Sequence, residues 1–140
     1  MIFDYKGLIS SAQAITASAA STNIIDLGPI KNASYPRDIG NGDEVAFLIQ
    51  VVEIFNNLTS LQVDLQTSDD STFATGVTTV WSKTVTLASG LLVPGYKFNN
   101  SDIEPGLNKR YMRLYYTVTG TAPTTGKITA GVVMGVPSNG

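Results

Sequence analysis

The run RYMRLYYTVTGTAPTTGKITAGVVMGV, Arg110 to Val136, is where the chain declares its fold class. Its first half places Met112, Leu114, Tyr116 and Val118 on one face and Tyr111, Arg113, Tyr115 and Thr117 on the other. Strict alternation marks a strand with one buried face, because successive side chains leave a pleated backbone on opposite sides. The second half repeats it, with Ile128, Ala130, Val132, Met134 and Val136 against Lys127 and Thr129. Between them lies GTAPTTG, whose glycines and Pro123 turn the chain. The pattern predicts an antiparallel hairpin with a loop longer than the two-residue optimum. The loop also has a superficial likeness to a phosphate-binding loop. That motif needs four residues between its glycines, a hydroxyl after the lysine, and a helix to follow. Here five residues separate Gly120 from Gly126, Ile128 follows Lys127, and both flanks read as strands.

Outward from this unit the same period recurs. LTSLQVDLQT sets Leu61, Val63 and Leu65 against Gln62, Asp64 and Gln66, and ends in the turn cluster SDDST. TTVWSKTVTL is a β-branched run holding Trp81, the only tryptophan, and NIIDLG is a further short strand. DEVAFLIQVVEIF is apolar on both sides, with Val45, Phe47, Ile49 and Val51 against Ala46, Leu48 and Val52. Such a strand needs cover on both faces, from an arm of its own chain or from a neighbour. Ser10 to Ser21, SSAQAITASAAS, gives a helix little to bury and reads as an arm, extended or loosely helical. KNASYPRDIGNGDE and LVPGYKFNNSDIEPGLNK read as long loops. Six to eight strands without a convincing helix predict an all-β, antiparallel jelly roll or β-sandwich. The predicted organisation is an N-terminal arm, 1–21, and one domain, 22–140.

Composition narrows the function. The 140 residues suit one domain, and only 14% are charged against 43% hydrophobic, which fits a surface partly covered by other chains. A net charge of -2 provides no overall basic field for nucleic acid. There is no cysteine, hence no disulfide framework, and no histidine. The missing histidine removes the usual general base, the Ser-His-Asp and Cys-His arrangements and ordinary zinc sites. The expectation is a protein that is not an enzyme and carries no cofactor. Asp4 and Lys6 interrupt the opening apolar run, so neither a signal peptide nor a membrane span is expected. The chain is expected to stay in the cytoplasm where it is made, unless it leaves inside a larger particle.

Five constellations bear on chemistry. Asp69-Asp70 lacks the alternating ligands, central glycine and closing Glu of a calcium loop and reads as a solvated turn. Asp102 and Glu104 sit two apart in a Pro/Gly-ended loop, unlike carboxylates facing across a sugar. Ser82 and Lys83 are strand neighbours and point to opposite faces. The face Lys109, Tyr111, Arg113, Tyr115 interleaves basic and aromatic residues. A base-stacking platform looks like this, but so does a protein interface, and an acidic chain behind it favours the interface. Trp81, Tyr96 and Tyr35 would make a sugar platform if brought together; Trp81 alone reads as core.

The stretches MIFD, AQAITASAASTNIIDLG, LTSLQVDLQTSDDSTF and NKRYMRLYYTVTGTAPTTGKITAGVVMGV together resemble the small capsid cement, or decoration, proteins of tailed bacteriophages. The likeness is to the jelly-roll kind that clamps podovirus-like heads, and it runs from Met1 to about Val136. The resemblance implies a structural virion protein on the outer capsid surface, partnered by the major capsid protein shell and bracing neighbouring capsomers against packaged DNA. It implies a homo-oligomer, with a dimer favoured, and brings no catalytic, metal or cofactor residues. Expected contacts are the arm, through Ile2, Phe3 and Tyr5, and the face Lys109, Tyr111, Arg113 and Tyr115. Two alternatives stand beside it: a glycan-binding β-sandwich module, and a head-to-tail or tail accessory protein.

Overall fold

The buried faces of the strands Leu58–Ser68 and Tyr111–Gly120 meet those of Val45–Glu53 and Lys127–Val133 across one core. The computed structural model describes residues 3–26, 45–99, 102–103 and 109–133. Its strands are β1 (Phe3–Ala14), β2 (Ala19–Ala20), β3 (Ile25–Asp26), β4 (Val45–Glu53), β5 (Leu58–Ser68), β6 (Thr78–Thr86), β7 (Lys97–Asn99), β8 (Asp102–Ile103), β9 (Tyr111–Gly120) and β10 (Lys127–Val133). They form two antiparallel sheets, β1-β10-β4-β7 with β8 also on β4, and β2-β9-β5-β6 with β3 also on β9. Ile9, Phe47, Ile49, Val51, Ile128 and Ala130 from the first sheet pack on Leu61, Val63, Leu65, Met112, Leu114 and Tyr116 from the second. The fold is a β-sandwich. Its pairings are those of one long hairpin rolled up: β1 with β10, β2 and β3 with β9, β4 with β7 and β8, and β5 with β6. Successive pairs fall in alternate sheets, which is the jelly-roll arrangement.

The hairpin expected of Arg110–Val136 is the point at which structure and expectation part. Both strands form with the expected faces, but they do not pair. β9 lies between β5 and the short strands β2 and β3, whereas β10 lies between β1 and β4. The loop between them therefore crosses from one sheet to the other. Alternation reports that each strand buries one face; it is silent on whether the next strand lies beside it or across the core. The glycines of the loop serve the crossing. At Gly120, φ is +89° and a Cβ would fall 2.3 Å from Thr59 Oγ1; at Gly126, φ is +131° and a Cβ would fall 2.3 Å from the Phe55 ring. Asn56 holds the loop between them, its Oδ1 accepting from Thr124 N at 2.8 Å and Thr125 N at 3.2 Å.

Within the span 1–21, Phe3–Ala14 is a strand of the first sheet, with Leu8 opposite Gly131 and Ala14 opposite Lys127. Ser10 to Ala14 thus belong to a strand and not a helix, with Ala12 left-handed (φ +45°) at a register shift, and Ile9 and Ile15 are buried in the core. β4 is covered on both faces at Leu48, which is 1% exposed on the side away from Phe47, Ile49 and Val51, while Val52 is 40% exposed. Among the described residues no helix is long and apolar enough to cross a membrane.

Candidate functional site: the outer face of the second sheet

Each residue of β9 that faces away from the core has a partner of matching direction on β5. Tyr111 stands opposite Ser68, Arg113 opposite Gln66, Tyr115 opposite Asp64 and Thr117 opposite Gln62. β6 extends the rows, with Ser82 opposite Asp64 and Thr84 opposite Gln62, and β3 adds Asp26 beside Tyr111. The result is a four-strand-wide face of aromatic rings, amides and hydroxyls.

Arg113 is held at its centre. Its Nε donates to Gln66 Oε1 at 3.0 Å, and its guanidinium carbon lies 4.2 Å from the Phe73 ring centroid and 5.4 Å from that of Tyr115. Stacking of this kind fixes the planar group and strips water from its faces, and that desolvation holds its pKa below the ordinary arginine value. Its Nη groups have no hydrogen-bond partner among the described residues, and the stack pre-sets the fork. The nearest acid in the rows, Asp64, is engaged elsewhere: it accepts from Gln62 Nε2 at 2.9 and 3.0 Å and from Ser82 Oγ.

Phe73 reaches Arg113 from the β5–β6 turn. Asp70 organises that turn, its Oδ1 accepting from Thr72 N and Oγ1 at 2.9 and 2.7 Å and its Oδ2 from Ala74 N at 3.1 Å and Thr75 N at 3.3 Å. These donors, Thr72 N foremost, hold the Asp70 pKa below the usual carboxylate value. They also hold Phe73 at φ +55°, a conformation that costs a bulky residue on the order of 1–3 kcal/mol. Asp69 Oδ1 accepts from Arg110 N at 3.0 Å, joining the turn to the start of β9. The pair Asp69-Asp70 is therefore a structural turn.

Of the residues expected to act together, Tyr111, Arg113 and Tyr115 share this face and are half-buried. Lys109 precedes the strand and turns away, donating to the Gly76 carbonyl and, at 2.9 Å, to Thr78 Oγ1. Of Phe3 and Tyr5 the backbone is described, in β1 of the other sheet, and Ile2 lies outside the described residues. Three participants escaped the sequence. Arg110 makes a two-pronged contact with Asp26, Nε to Oδ1 at 2.9 Å and Nη2 to Oδ2 at 3.0 Å, and lies 5.0 Å from the Tyr111 ring. Gln66 and Phe73 are the others; alternation placed Gln66 on an outer face, but only the β5–β9 register sets it beside Arg113.

The remaining constellations, taken together, lie only partly among the described residues. Ser82 bonds Asp64 on the outer face while Lys83 lies over the Tyr96 ring on the inner one. Trp81 and Tyr96 both pack against the core, Tyr96 edge-on to Phe98 at 5.3 Å, and Tyr35 lies outside the described residues. Glu104 also lies outside them. Among the described residues no group of three His, Cys, Asp or Glu is placed to hold a metal. Aromatic planes, a stacked guanidinium and ordered polar rows make a surface suited to adhesion.

Residues 9–132 match the family Bbp16. The chain belongs to the Bbp16 family. That family is phage-associated, so this is a small all-β protein of phage association. No curated protein matches the chain. The matched span takes in the whole of the Bbp16 outer face described above, from Asp26 through Gln66 and Phe73 to Thr117.

Proposed function

We propose that this Bbp16 protein is a capsid cement, or decoration, protein. It binds the outer surface of the phage head and braces neighbouring shell subunits against the pressure of packaged DNA. Phage association through the family supports the setting. The observation that carries the role is the outer face of the second sheet, where Arg113 is clamped between Phe73 and Tyr115 with its fork unpaired among the described residues. Tyr and Arg fixed in this way are the residue types that anchor protein interfaces.

In this reading the partner is the shell of major capsid proteins, the protein works without a cofactor and catalyses nothing, and it associates with itself, as a dimer. Its place is the outer capsid surface of the virion after synthesis in the host cytoplasm. Stabilisation follows from linkage, since a ligand that binds the assembled shell and not free subunits shifts the equilibrium toward assembly. A protein bridging two subunits gains further because its second contact is intramolecular. Co-sedimentation with heads that lack the protein tests the proposal. Saturable binding, weakened by Arg113→Ala, supports it; retention on glycans with no affinity for heads would replace it with the sugar-binding alternative.

A further inference from the structure

Strand β6 ends the second sheet, and among the described residues its backbone ladder runs to β5 alone. An edge of that kind is a template for another strand, which proteins blunt with charge, proline or bulges. β6 has a register shift between its pairings to Leu65 and Gln66, but from Trp81 to Thr86 the ladder is regular and free of proline. Ser82, Lys83 and Thr84 are exposed. Beside the edge runs a shallow groove of about 290 Å³ lined by Lys83, Val85, Leu91 and Tyr96. Leu91 is 45% exposed, an apolar side chain left at the rim, and Lys83 Nζ stands 5.9 Å from the Tyr96 ring centroid.

We infer that β6 pairs with itself: a second copy of the chain adds its own β6, antiparallel, about a two-fold axis through Ser82. The sequence around Ser82 is complementary to its own reverse. With Ser82 opposite its copy, Trp81 of each chain faces Lys83 of the other, and Val80 faces Thr84. Trp81 and Lys83 point to the inner side of the sheet, since they pair with Leu65 and Val63. Each indole therefore arrives at the other chain's groove beside Lys83 and Tyr96, a cation–π contact made twice by symmetry. An axis through Lys83 would set two ammonium groups directly opposite, which is repulsive. An axis through Thr84 would set Lys83 against Val85 and leave Trp81 without a cation. The inference assigns a place to the dimer in the reading above, and rests on that dimer and not on head binding.

The chain has no cysteine, so single-cysteine variants report the contact cleanly. Directly opposed Cα atoms in an antiparallel ladder are about 4.5–5.5 Å apart, within disulfide range. Ser82→Cys is expected to become a covalent dimer under mild oxidation. Thr84→Cys, about 13 Å from its copy in this register, is expected to stay reducible to nothing but monomer. Lys83→Glu is expected to raise the dimer dissociation constant roughly 5- to 30-fold in sedimentation equilibrium. A chain that sediments as a monomer at all concentrations removes the dimer itself. A dimer that cross-links through Thr84→Cys, or through neither variant, overturns the Ser82 axis and leaves the dimer standing, with head binding measured separately.

Discussion

Ser10 and Tyr116, 106 residues apart in sequence, share a buried 2.8 Å hydrogen bond that ties the first sheet to the second. Ser10 Oγ donates onward to Gln13 Oε1 at 2.8 Å, so the tyrosine hydroxyl is the donor to Ser10. Gln13 Oε1 also accepts from Thr22 N at 2.8 Å, and its Nε2 donates to Ala20 O at 2.9 Å, so one glutamine holds the segment leading into β2 and beyond. Removing the acceptor strands a buried hydroxyl, whereas removing the hydroxyl strands nothing. Ser10→Ala is therefore expected to cost about 1–3 kcal/mol in denaturant unfolding, Tyr116→Phe about 1 kcal/mol, and the double variant less than their sum. Burial is the main cause that pushes the Tyr116 pKa well above its ordinary 10.0, against a smaller downward pull from Ser10. The unfolded chain then loses this proton first as pH rises. The stability it contributes is whole below about pH 10 and declines above it by up to about 1.4 kcal/mol per pH unit. Alkaline unfolding curves of the native chain and Tyr116→Phe check this, the variant being expected to lose stability less steeply. Tyr116 was legible as core because it falls in register with Met112 and Leu114. Its partner was not, because no local pattern links residue 10 to residue 116.

The strands themselves were the most legible elements. β5, β9 and β10 lie where the period-two runs predict them, β4 where the doubly apolar run does and β6 where the β-branched run does, and the faces of β5 and β9 are those read from the residues. What periodicity withholds is the neighbour of each strand, and the loop Gly120–Gly126 shows why. Its length suits a hairpin as well as a crossing, and the pairing of Lys127 with Glu53, beside the Phe55 ring that Gly126 approaches, shows that it enters the other sheet. Gly126→Ala is accordingly expected to destabilise by at least about 2 kcal/mol, read as a fall in denaturation midpoint with unchanged slope. The two-residue strands β2, β3 and β8 are too short to show any period, and they exist because β9 and β4 offer them edges. At the outer face, Tyr111, Arg113 and Tyr115 were visible as a row, while Gln66 and Phe73 depended on register and on a turn. Arg113→Ala is expected to weaken head binding by about 30-fold or more while barely moving the melting temperature, because the guanidinium packs on the surface and not in the core. Arg113→Lys is expected not to restore it, since an ammonium lacks the planar fork that stacks on Phe73. Equal losses of binding and of stability in Arg113→Ala would contradict an interface role.

For the molecule as a whole, the rolled hairpin gives two sheets with different tasks in this account. The inner faces make one core; in the proposed function the outer face of the second sheet meets the shell, and in the proposed dimer the β6 edge meets a second copy. The all-β class and the sandwich were legible in alternation and in the absence of any convincing helix. Attachment to a phage head was not legible in any single residue, because adhesion needs no chemistry of the kind a catalytic site displays; it is implied by resemblance, and one direct trial tests it. That trial is co-sedimentation of the purified protein with phage heads that lack it, followed by heating of the particles with and without it. The account predicts saturable binding in fixed ratio to the major capsid protein and a higher temperature of head rupture. Failure to bind any form of the head, with rupture temperature unchanged, would contradict it.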